Sequence, residues 1–165
     1  MYYGKINKTD IANGPGVRVS LFVSGCDLRC KGCFNPETWN FKYGRPFCGD
    51  MIDEIFEALA PDYISGLTIL GGEPLHSENY IEVSYLCYLV KKKYPHKTIW
   101  IYTGKIYETI SHFTIFDYVD VLVDGPFIEE EKDITLKFRG SRNQRIIDVQ
   151  ESNRLGTVIL HSDKG

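Results

Sequence analysis

The chain has 165 residues, 43% hydrophobic and 25% charged, which suits one globular domain (residues 1–165) whose core stands without disulfide staples. Its net charge of −3 gives no general attraction to nucleic acid, no apolar run approaches the roughly 18 residues of a membrane span, and "MYYGKINKTD" lacks the basic-then-apolar layout of a signal peptide. The expectation is a cytoplasmic protein with neither nucleic-acid nor membrane partners, whose five cysteines point to metal or redox chemistry before a disulfide framework.

In chain order, "VRVSLFV" at 17–23 reads as a strand from its β-branched and aromatic content, and a cysteine-rich loop begins directly after it. "DMIDEIFEALAP" sets Ile52, Ile55, Phe56 and Leu59 at helical spacing, with Asp50 as the expected N-cap and Pro61 as the stop. "GLTILGG" reads as a buried strand, and "SENYIEVSYLCYLVKKKYP" as a helix capped by Ser77 with cations in its last turn. "TIWIYTG" is a third strand, residues 106–113 a short helix and "YVDVLVDG" a fourth strand. Short connections between alternating strands and helices predict an α/β fold with a mainly parallel sheet. A complete eight-unit barrel needs about 250 residues, so a single-domain, partial (incomplete) β/α barrel is expected. Beyond Pro126, a charged connection and a basic loop precede two expected strands near residues 145–149 and 156–160. The pattern of "YYGKINKTD" leaves open whether the N-terminus adds a strand.

Ligands of parallel β/α folds collect at the C-terminal ends of the strands. Four such ends carry unusual residues here: the loop with Cys26, Cys30 and Cys33, then "GGEP" at 71–74, "YTG" at 102–104 and "VDGPF" at 123–127. All four are expected to converge on one mouth.

Three clustered thiols are one short of a closed zinc site, which would need Cys48, His76 or another distant group as the fourth ligand. An electron-transfer iron–sulfur cluster has the same shortage, with Cys48 as its candidate. Alternatively, three thiolates on a four-iron cluster leave one iron open, and an open metal position is where chemistry on a bound molecule takes place.

C-x3-C-x2-C after the first strand of a β/α fold resembles the radical S-adenosylmethionine superfamily. "NGPGVR" (13–18), "CKGCFN" (30–35), "GGEPL" (71–75), "IYTG" (101–104), "DVLVDGPF" (120–127) and "RGSRNQR" (139–145) narrow the resemblance to the activating proteins of anaerobic ribonucleoside-triphosphate reductases. Gly32 before the third cysteine, followed by Phe34 and Asn35, agrees with that family, and Glu73 stands where it often has Asp. The resemblance implies a [4Fe-4S] cluster on Cys26, Cys30 and Cys33, with the open iron binding the methionine moiety of S-adenosylmethionine. It further implies cofactor contacts from Gly32, Cys33, Phe34, Gly71, Gly72, Glu73, Thr103, Gly104 and Asp124. The implied activity is reductive cleavage of S-adenosylmethionine and removal of a hydrogen atom from a backbone glycine of the reductase, with a small electron donor such as a flavodoxin or ferredoxin. No side chain need act as acid or base.

"NGPGVR" lacks the Gly-Lys-Ser/Thr ending of a P-loop, which excludes phosphate cradling of that kind. The basic segment carries Arg139, Asn143 and Arg145, expected to dock the reductase near its glycyl-radical loop; its acidic neighbour "EEEKD" and lack of interleaved aromatics argue against RNA or DNA. Cys48 and Cys87 are expected to be structural, and the scattered histidines are assigned no role. The competing readings are an activase of another glycyl-radical enzyme, such as pyruvate formate-lyase, and a non-catalytic zinc-binding interaction module.

Overall fold

The computed structural model describes residues 1–34 and 36–162; Asn35, singled out above, lies outside them. The strands are β1 (Tyr2–Asp10), β2 (Val17–Val23), β3 (Arg45–Pro46), β4 (Ile64–Gly71), β5 (Thr98–Tyr102), β6 (Val121–Asp124) and β7 (Arg145–Asp148). The helices are α1 (Gly49–Leu59), α2 (Ser77–Lys93), α3 (Tyr107–Ile110) and α4 (Val149–Leu155).

Alternation along β2 sets the two faces of the sheet. Val19, Leu21 and Val23 enter the main core with Leu67 and Ile69 of β4 and Ile99 and Ile101 of β5. Helices cover that face: Ile55 and Leu59 of α1 and Val83, Leu86, Cys87 and Val90 of α2 are buried in the same cluster. Cys87 is the buried small hydrophobe expected of it, and burial pushes its thiol up. The opposite face has a smaller core of Trp100, Val121 and Val123, packed with Tyr102, Phe138 and Ile146.

Seven strands run in the order β3-β1-β2-β4-β5-β6-β7. The inner four are parallel, as the alternating pattern requires, with Leu21 opposite Ile69, Ile69 opposite Ile101 and Ile101 opposite Leu122. The flanks are antiparallel: β1 on β2, β3 on β1 and β7 on β6. The N-terminus thus supplies an extra strand, and the sheet is open, with β3 and β7 at its edges.

Three local expectations are corrected. Cys48, not Asp50, is the N-cap of α1, and Asp50 sits in the first turn, where its charge suits the helix dipole. His76, not Ser77, caps α2, its Nδ1 accepting the Glu78 N–H at 3.1 Å. The strand expected at 156–160 is absent, and Leu160 makes only an isolated bridge to Ile147. The preceding residues form α4, started by Asp148 accepting the Glu151 N–H at 3.1 Å and stopped by Gly156 at φ 72°.

"NGPGVR" gains a structural role. Arg18 is fully buried, donating from Nε to Thr68 Oγ1 (2.8 Å), from Nη1 to Thr98 Oγ1 (2.9 Å) and from Nη2 to the Leu67 and Thr98 carbonyls (3.0 and 2.9 Å). It therefore ties β2, β4 and β5 together. Burial lowers its pKa to about 10. The Thr68 hydroxyl in turn donates a hydrogen bond to the Asn13 carbonyl at 2.7 Å, which fixes the start of the motif over this face.

Candidate functional site

The parallel strand ends open into one cavity of about 550 Å³. Its wall takes Cys26, Cys30, Cys33 and Phe34 from the loop after β2, Gly71, Gly72 and Glu73 from the end of β4, Thr103 and Gly104 from the end of β5, and Gly125 and Phe127 after β6. All four ends meet, as expected.

The three thiols are free and half-buried. The Cys33 N–H donates to the Cys30 carbonyl at 3.1 Å, closing a turn between two of them, and the Cys26 N–H donates to the Trp39 carbonyl at 3.2 Å. Burial pushes the Cys26 thiol up, while the N–H groups of Leu28 and Arg29 that reach its sulfur act against this. Arg29 holds the left-handed φ of 49°, its guanidinium 5.6 Å from the centre of the Trp39 ring.

The chemistry of this donor set fits an iron–sulfur cluster, which is held by thiolates. Among the described residues, no three or more His, Cys, Asp or Glu side chains are grouped so as to hold a metal ion. Neither suggested fourth ligand lines the cavity: Cys48 is exposed at the start of α1, and His76 is engaged with Glu78 and, through Nε2 at 3.2 Å, with Asp27.

Gly71 and Gly72 are required by the protein's own backbone. The Gly72 N–H donates to the Val23 carbonyl at 2.8 Å and the Glu73 N–H to the Gly25 carbonyl at 2.7 Å. A Cβ would come within 2.6 Å of the Val23 carbonyl oxygen from Gly71, or of the Gly25 carbonyl oxygen from Gly72. This close approach joins the cysteine loop to the end of β4.

Glu73 is 2% exposed, and both its oxygens are engaged. Oε2 accepts the Thr103 hydroxyl at 2.8 Å and the Leu75 N–H at 2.9 Å, and Oε1 accepts the Gly104 N–H at 2.8 Å. Burial pushes the carboxyl above its ordinary value, against the pull of those three donors. Glu73 is thus a strut between the ends of β4 and β5 as well as part of the wall.

Other expected site residues fall elsewhere. Gly32 is not on the cavity wall; at φ 75°, it turns the loop where Glu129 packs against it, and a Cβ would meet the Glu129 Cδ at 3.0 Å. Asp124 is fully buried below the mouth, its carboxylate held by Arg145 Nε (3.0 Å), Arg145 Nη2 (2.6 Å) and the Tyr107 N–H (2.9 Å). Arg145 also makes a two-pronged contact with Glu108 at 2.6 and 3.1 Å, which with Asp124 pushes its pKa up. Arg139 does line the cavity, but its Nη1 donates to the Arg142 and Gln144 carbonyls at 2.9 and 2.6 Å. Asn143 Nδ2 donates to the Pro126 carbonyl at 2.8 Å. Within the basic segment, Arg139 thus closes its own turn, while Asn143 and Arg145 tie that turn to the chain after β6 and to α3.

Sequence reasoning missed Asn13, Tyr102 and Gln144 on the wall. Asn13 opens a motif already singled out, and Tyr102 directly precedes the Thr-Gly strand end, so position could have flagged both. Gln144 accepts the Gly140 and Ser141 N–H groups of its own turn at 2.9 and 3.1 Å, and is held at the wall by Nε2 donating to the distant Gly125 carbonyl at 3.1 Å.

An open α/β sheet with three thiols at the mouth of its parallel strands defines a class: residues 12–147 match the family described as 4Fe-4S single cluster domain. Relatives named anaerobic ribonucleoside-triphosphate reductase-activating protein include those of a phage and of two bacteria. The one from Enterobacteria phage T4 is 43% identical over 148 residues, 88% of this chain and 93% of the relative. That of Vibrio cholerae is 42% identical over 150 residues (88% and 97%), and that of Escherichia coli 39% over 148 residues (87% and 96%). The chain belongs to the family of anaerobic ribonucleoside-triphosphate reductase-activating proteins.

Proposed function

We propose that the protein is a glycyl-radical activating enzyme of the radical S-adenosylmethionine type, acting on the large subunit of an anaerobic ribonucleoside-triphosphate reductase. The observation that carries this reading is the sharing of one cavity by Cys26, Cys30 and Cys33 with the Gly71–Glu73 and Thr103–Gly104 strand ends. The relatives' names supply the target.

On this reading, Cys26, Cys30 and Cys33 hold a [4Fe-4S] cluster, and Gly71, Gly72, Glu73, Thr103 and Gly104 form the wall for S-adenosylmethionine. Bound there, the reduced cluster would supply the one electron needed for reductive cleavage of S-adenosylmethionine, chemistry that would allow removal of a hydrogen atom from a backbone glycine of the reductase. The protein's residues orient and shield. The Glu73–Thr103 strut fixes the spacing of two strand ends, and the side chains of Phe34 and Phe127, 5.0 Å apart between ring centres, give one side of the mouth an apolar edge. No acid or base is required of them. The open sheet acts as an incomplete β/α barrel in a single domain, whose shallow mouth admits a loop of a large partner. A small electron donor in the cytoplasm, such as a flavodoxin or ferredoxin, supplies the electron.

The test is electron paramagnetic resonance on the reductase after anaerobic incubation with the reconstituted, reduced protein and S-adenosylmethionine. A glycyl-radical doublet with the native sequence and none with Cys33→Ala is expected. A signal of equal strength with Cys33→Ala would sink the assignment.

A further inference from the structure

Three exposed apolar side chains ring the cavity opening: Leu28 and Phe34 from the cysteine loop, 43% and 60% exposed, and Ile134, 89% exposed. Single exposed hydrophobics are ordinary, but three around one opening form a patch. Ile134 is presented by a short hairpin whose sides meet at Lys132 and Ser141 and through the Asp133 N–H donating to the Gly140 carbonyl at 3.2 Å. Its tip is fixed by Asp133 Oδ1, which accepts the Thr135 N–H and hydroxyl at 2.9 and 2.6 Å. The hairpin is joined to the cysteine loop, with Lys132 Nζ 5.3 Å from the centre of the Phe34 ring.

We propose that Ile134 is the apolar anchor by which this lip seats the glycine-bearing loop of the reductase, in place of the basic residues expected to dock it. The inference rests on the proposed function: whatever reacts inside the cavity must pass this lip. Arg139 and Arg145 bond internal carbonyls and carboxylates, and although Arg142 of the same segment is exposed, Ile134 is 89% exposed at the opening itself and is the better anchor there. In the adjacent acidic run, Glu129 is paired with Lys31 at 3.7 Å, and the exposed Glu130 beside it indicates the partner's chemistry: a loop with an apolar side chain near its glycine and a cationic residue on its flank. A second copy of this chain seated here would close the mouth needed for the reaction.

The experiment compares the native sequence with Ile134→Lys, Ile134→Ser and the control Ile81→Lys, which alters a residue 78% exposed on α2. Two readouts are taken: affinity for the reductase by anaerobic titration calorimetry, and 5′-deoxyadenosine formed without reductase. Ile134→Lys is expected to weaken binding by about tenfold or more and Ile134→Ser by a smaller factor, with Ile81→Lys near native and cofactor cleavage unchanged in all. Equal affinities for Ile134→Lys and Ile81→Lys, no binding by the native sequence, or self-association that Ile134→Lys abolishes would each overturn the proposal. A native protein that binds but never cleaves S-adenosylmethionine removes the proposed function, while the affinities still decide the role of Ile134.

Discussion

The Thr103 hydroxyl donates to Glu73 Oε2 at 2.8 Å, joining residues thirty positions apart at the ends of neighbouring parallel strands. Because the same carboxylate accepts the Gly104 and Leu75 N–H groups, one side chain sets the geometry of much of the cavity wall. The mouth of this fold is built by buried polar bonds as much as by the strands beneath it.

Glu73→Gln turns an all-acceptor group into one whose amide must face an N–H or hydroxyl donor, and should cost about 1–3 kcal/mol. The pH dependence has a definite sign. With the folded carboxyl above the ordinary 4.5, Glu73's contribution is complete below that value and is lost as pH rises through the folded one. The thermal-unfolding advantage of the native sequence over Glu73→Gln should therefore shrink from pH 4.5 upward. A widening advantage would mean that the three donors outweigh burial.

Gly32→Ala should destabilise the protein by about 1–2 kcal/mol, since alanine is disfavoured at φ 75° and its Cβ meets Glu129. Adding Glu129→Ala should recover the contact part but not the backbone part. Denaturant unfolding of both single variants and the double variant separates the two.

Arg145→Met leaves the buried Asp124 carboxylate with the Tyr107 N–H and no cation, and should cost about 3 kcal/mol. If Arg145 were chiefly a docking residue, the midpoint of unfolding would stay put and only activation of the reductase would fall.

Arg18→Lys replaces a planar donor fork with a point charge that cannot reach Thr68, Thr98 and Leu67 together. A loss of about 1–3 kcal/mol is expected, read by chemical denaturation.

The inner sheet was legible because its strands are runs such as "GLTILGG" and "TIWIYTG", and short connections force parallel neighbours. The meeting of the cysteine loop with residues 71–73 and 103–104 follows from that topology alone. What escaped was whatever long-range bonding decides. Asp124 reads as a cofactor contact and Arg145 as a docking residue, yet they neutralise one another across 21 positions, which no local pattern reveals. Gly32 matched the family, but its reason is the approach of Glu129 from beyond β6. The helix after Asp148 was missed although its Asp start and Gly stop are both visible, because "TVIL" nearby suggested a strand. The N-terminal strand has an irregular burial pattern, since register shifts interrupt its pairing with β2.

The central claim is that Cys26, Cys30 and Cys33 hold a cluster that cleaves S-adenosylmethionine. Its most direct test is anaerobic reconstitution with iron and sulfide, reduction in the presence of S-adenosylmethionine, and quantification of 5′-deoxyadenosine for the native sequence and Cys33→Ala. The account predicts 5′-deoxyadenosine from the native protein and none from Cys33→Ala. A fully reconstituted, reducible cluster that yields none, or a protein that takes up zinc in place of iron, would contradict it.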